Sequence, residues 1–112
     1  MAKIKLIPDP TFSAKVGVPV PGAGAVDVVF TFKHRTREEM ERFLKEATGD
    51  NGMDDVQLVL ACASGWELAD AFTEENVKEF ARQYIAGPAA VFETYCMELT
   101  GARLKNSNRP RL

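Results

Sequence analysis

The sequence predicts an α+β fold, an N-terminal β-hairpin packed on about four short α-helices, with residues 4–7 as a candidate third strand. Two observations carry this reading. Residues 12–20 and 26–33 alternate between apolar and polar types on either side of a Pro/Gly turn, the period of half-buried strands. The rest of the chain, to Gly101, repeats apolar residues at helical spacing between capping residues and glycines. A length of 112 residues with 46% hydrophobic and 27% charged residues suits one soluble domain. Residues 1–101 are expected to form it, and the polar, basic, aperiodic residues 102–112 to form a mobile tail.

Phe12, Ala14, Val16, Val18 and Val20 share one face of the first run, and Pro19 confines it to an edge or a strand end. Residues 21–25 make the turn, and Val26, Val28, Phe30 and Phe32 share a face of the second run. A lone hairpin is marginal in water, so this Val/Phe face must lie against helices. Thr36-Arg37-Glu38-Glu39 has capping-box spacing, and Met40, Phe43, Leu44 and Ala47 form the inner stripe of the helix it opens. Residues 49–52, Gly-Asp-Asn-Gly, stop that helix.

A second helix starts near Asp54 and Asp55. Val56, Leu58, Val59, Leu60, Cys62 and Ala63 leave it little polar surface, which marks a central helix. Gly65 as a left-handed cap would place Trp66 back onto Leu60 or Ala61 in a Schellman ending. Thr73 caps a third helix, with Val77, Phe80, Ala81, Tyr84 and Ile85 inward. Ala86-Gly87-Pro88 opens a fourth, whose inner face is Val91, Phe92, Tyr95, Cys96 and Leu99, ended by Gly101.

Most chemistries are excluded by pattern. An EF-hand beginning at Asp50 needs glycine sixth and glutamate twelfth, where the chain has Asp55 and Ala61. Gly22-Ala23-Gly24 joins two strands and so lacks the helix N-terminus that binds phosphate. His34 is the only histidine, which leaves no imidazole cluster for a metal and no second base for either cysteine. Cys62 and Cys96 fall in apolar helical patterns and read as buried small hydrophobes. No catalytic residues, metal ligands or cofactor are therefore expected. The N-terminus lacks the apolar stretch of a signal peptide or membrane span, so the chain is expected to stay where it is made.

Charge is ordered along the chain. Residues 1–37 carry six Lys/Arg against two Asp, residues 38–98 carry four against fourteen Asp/Glu, and residues 99–112 carry four against none. An acidic body with basic ends suits association between copies or with a charged partner. The basic run from Lys33 to Arg37 and the tail from Arg103 to Arg111 also raise an alternative, a small nucleic-acid-binding regulator. The run has no interleaved aromatic platform and the pI is about 5.4, so it reads first as a solvated corner. The remaining candidate is a protein-binding surface formed by Trp66, Leu68 and Phe72, with Phe30 and Phe32 from the hairpin face. Trp66 also has a simpler role as a core wedge.

The residues 32–39, FKHRTREE, then Ser64-Gly65-Trp66-Glu67-Leu68 with Phe72 and Glu75-Asn76, then Tyr84, Phe92, Tyr95 and Glu98-Leu99-Thr100-Gly101 resemble the tail assembly chaperones of long-tailed bacteriophages and their prophages. The likeness runs from the hairpin to Gly101 and is most specific at the Gly65-Trp66 junction. It implies a non-enzymatic assembly factor in the bacterial host cytoplasm, absent from the finished virion. Such a factor coats the long apolar tape measure protein, recruits tail tube subunits and often oligomerises. Members of that family often have a longer form made by ribosomal frameshifting, and the codons of Lys105 and Asn106 are a candidate slip site for one here.

Overall fold

A computed structural model describes residues 4–101. The expected tail and the Lys105-Asn106 site lie outside the described residues. The architecture is α+β: a three-stranded antiparallel sheet in the order β1-β2-β3 with four helices. Strands β1 (Thr11–Val20) and β2 (Gly24–Lys33) pair throughout, from Thr11 opposite Lys33 to Val20 opposite Gly24. The loop is one residue pair tighter than the expected turn. The Ala23 N–H donates to the Val20 carbonyl at 2.9 Å, with Pro21 and then Gly22 at φ 83° between them, the residue order a type II turn requires. β1 is an edge strand, which accommodates Pro19.

The expected third strand at residues 4–7 is not formed. Those residues precede β1 outside any strand, and the third strand is β3 (Ala63–Trp66), antiparallel to β2. The Schellman ending also gives way. Helix α2 (Asp55–Cys62) stops at Ala63 in extended geometry, φ −124° and ψ 155°, and Gly65 is not left-handed. The free edge of β2 decides this. Phe30 faces Trp66, Thr31 faces Gly65, and the Glu67 N–H donates to the Val29 carbonyl at 2.9 Å. Pairing with that edge satisfies several backbone groups where a local turn satisfies two. A bulge at this point brings Ala63, not Ser64, opposite Phe32, so a methyl group faces the core and the hydroxyl stays outside.

Helices α1 (Arg37–Thr48), α3 (Glu74–Gln83) and α4 (Gly87–Thr100) follow the sequence pattern closely. Thr36 and Glu39 form the expected capping box, and Asp54 with Gln57 forms a second one at α2. The core joins Val16, Val18, Phe30 and Phe32 of the sheet to Phe43, Val59, Val77, Phe80, Val91 and Tyr95 of the helices. Gly87 is required by packing, since a Cβ there would lie 2.7 Å from the Phe80 ring. The buried apolar faces are narrower than expected at two places, one after a helix and one on the hairpin. Ile85 lies beyond the end of α3 and is exposed, and Val26 is exposed near the hairpin tip.

Candidate protein-binding site

The segment after β3 is an irregular connector held by side chains at both ends. The Trp66 indole N–H donates to the Asp70 carbonyl at 2.8 Å, and the Asn76 amide donates to the Ala71 carbonyl at 2.8 Å. Thr73 closes the connector by accepting from the Asn76 N–H at 3.1 Å, an N-cap that starts α3. These bonds fix the loop's shape without burying it.

Trp66 is the hub. Its ring lies edge-on to Phe72 at 5.0 Å and 88°, edge-on to Phe30 at 5.9 Å, and 5.6 Å from Phe80. Edge-to-face contacts at these separations are favourable, and the aromatic bodies bury much of one another. Of the expected surface residues, Trp66 and Phe72 are half-buried and Leu68 is 39% exposed. Phe30 and Phe32 are fully buried, because the helices cover the hairpin face on which they stand. Phe30 supports Trp66 from beneath, whereas Phe32 packs on Phe12 and Tyr95, away from the connector.

Trp66 and Leu68 line an open groove of about 180 Å³ together with Phe80, Tyr84, Asp70 and Glu79. Phe80 and Tyr84 are one helical turn apart, with ring centroids at 5.8 Å, and Tyr84 is 37% exposed. Periodicity assigned Tyr84 to the core because its spacing is right. Its place at the C-cap of α3 is what turns it toward the groove. Glu79 forms the acidic rim and is held by Gln83 at 2.6 Å and Arg82 at 3.2 Å. The Gln83 and Arg82 bonds hold its carboxyl below the ordinary range.

The basic corner stays largely exposed at Lys33, Thr36 and Arg37, as expected, but two of its cations also make internal hydrogen bonds. Lys33 Nζ donates to the Leu60 carbonyl at 3.0 Å, and Arg35 donates to the Ala61 carbonyl at 2.9 Å and to Tyr95 Oη at 2.8 Å. Helix α2 has no basic residue in its last turn; these two cations supply the positive charge that its C-terminal carbonyls attract. The Arg35 guanidinium also sits 4.1 Å over the Phe43 ring. Among the described residues, no group of three or more His, Cys, Asp or Glu could hold a metal ion, and no helix is long and apolar enough to cross a membrane.

A family model described as phage tail assembly chaperone matches residues 1–106. The chain belongs to that family. The family's role lies in phage tail assembly. Comparison with curated proteins and with solved structures found no match.

Proposed function

We propose that this chaperone binds the tape measure protein of a long-tailed phage, keeps it soluble, and recruits tail tube subunits in the host cytoplasm. It acts without catalysis and leaves before the virion is complete. The family membership supplies the context, and the observation that carries the reading is the groove at Trp66, an apolar floor with an acidic rim on a pinned connector. Such a groove suits the apolar face of an amphipathic helix with basic neighbours. In this reading Trp66, Leu68 and Phe72 touch the partner and Phe30 supports Trp66 from the core, while Phe32 serves the core alone. Residues 1–101 act as one domain, with 102–112 as its basic tail. The nucleic-acid alternative is the weaker reading, since Lys33 and Arg35 of its basic corner already bond to α2 carbonyls.

Co-expression with the tape measure protein tests this. Leu68→Asp places a charge on an exposed apolar position and should shift the partner from the soluble to the insoluble fraction while the chaperone itself stays soluble. Undiminished partner solubility and co-purification would overturn the assignment. Phe72→Ala should act in the same direction more weakly, because it removes the ring that steadies Trp66.

A further inference from the structure

The two most exposed large apolar side chains among the described residues precede β1, and a third exposed one follows them. Ile4 and Leu6 are 98% exposed and Ile7 is 80% exposed. Lys5 stands among them, and Lys3 adds a second cation in the sequence. The Lys5–Asp9 pair at 2.6 Å is exposed on both sides, so it costs little to exchange for another carboxylate. Three adjacent, uncovered aliphatic side chains on one arm are the kind of apolar surface that marks an interaction site.

The same molecule carries a complementary acceptor. The groove of Trp66, Leu68, Phe80 and Tyr84 has an apolar floor, and residues 67–79 around it hold five Asp/Glu against one Lys. At about 180 Å³ it is smaller than the roughly 300 Å³ at which small-molecule clefts begin, a size for aliphatic side chains. We propose that the arm Ile4–Ile7 of one copy seats in this groove of a second copy, with Lys5 facing Asp70 and Glu79.

The sheet order sets the consequence. The arm leaves the sheet at β1, one edge, and the groove lies beside β3, the other edge. Each copy can then give an arm and accept one, and a heterologous contact of that kind propagates into a ring or a filament. The inference concerns copies of this chain only and does not rest on the tape measure reading, although an arm and a tail protein would compete for the groove.

Sedimentation velocity of the full chain over a concentration series tests it, with Leu6→Asp in the arm and Leu68→Asp in the groove. Both positions are exposed, so folding is retained. The parent should associate with concentration, and less so in high salt. Each variant alone should sediment as a monomer. Their equimolar mixture should form a dimer and nothing larger, since the intact arm of one fits the intact groove of the other. Trp66 is the only tryptophan, so its emission should change on mixing. A parent that stays monomeric, a Leu6→Asp protein that associates like the parent, or a mixture that remains monomeric would each overturn the proposal. A monomeric parent whose Trp66 emission changes with Leu6→Asp shows the arm in its own groove, which also overturns it. Leu6→Asp in the co-expression assay should leave tape measure solubility intact, which separates the two readings.

Discussion

Tyr95 shows how much one side chain can hold together. Its hydroxyl accepts from Arg35 at 2.8 Å and donates to the Lys33 carbonyl at 2.7 Å, while its ring touches Phe12, Phe32 and Phe43. Burial pushes its phenol up, offset in part by Arg35. Tyr95→Phe keeps the ring and removes both bonds, leaving the Lys33 carbonyl and one Arg35 contact without this partner. It should cost about 1–3 kcal/mol, measured by urea denaturation. The ring's inward position was readable from helical spacing. The hydroxyl's partners were not, because they come from residues about sixty positions earlier in the chain.

At the scale of elements, the helix starts rest on local chemistry. Thr36→Ala and Asp54→Ala each remove one half of a capping box and should each cost about 1 kcal/mol. Their effects should add, since the two boxes share no hydrogen bond, and thermal unfolding of the double variant checks the sum. Glu39 is held below its ordinary value of 4.5, first by the Thr36 backbone N–H that donates to it. A depressed carboxyl stabilises the fold above its unfolded value and loses that contribution as pH falls through the folded one. The Tm difference between the parent and Glu39→Gln should therefore be present at neutral pH and close as pH falls below 4.5. Residues 63–66 were harder to read than the helix starts. A glycine after an apolar helix has the same local signature whether the chain turns back or pairs with a distant strand, and here the open edge of β2 settled it.

For the molecule as a whole, the two thiols report on the core. Burial pushes Cys62 up to about 12, with Cys96 nearby adding to the rise, and burial with the Glu93 charge pushes Cys96 up to about 11. Both are protonated at neutral pH and covered, so a thiol reagent should label them only as the protein opens. Labelling rates measured against urea concentration should follow global unfolding. Fast labelling of either cysteine in native buffer would show a looser α2–α4 core than the one described.

The sequence by itself determined the hairpin, the four helices with their caps, the inward positions of most apolar residues, and the family. The hairpin, helices and inward positions follow from residue type and short-range spacing, which backbone geometry converts directly into periodicity and capping, while the family rests on the resemblance and the matching family model. Only the tertiary structure decided the third strand, the internal use of Lys33 and Arg35, and the groove that joins Trp66 and Leu68 to Phe80 and Tyr84. Each depends on groups far apart in the chain satisfying one another's hydrogen bonds or covering one another's apolar surface. Phe30 and Phe32 illustrate the division: their shared face was evident from alternation, and their complete burial came from the helices packed over it.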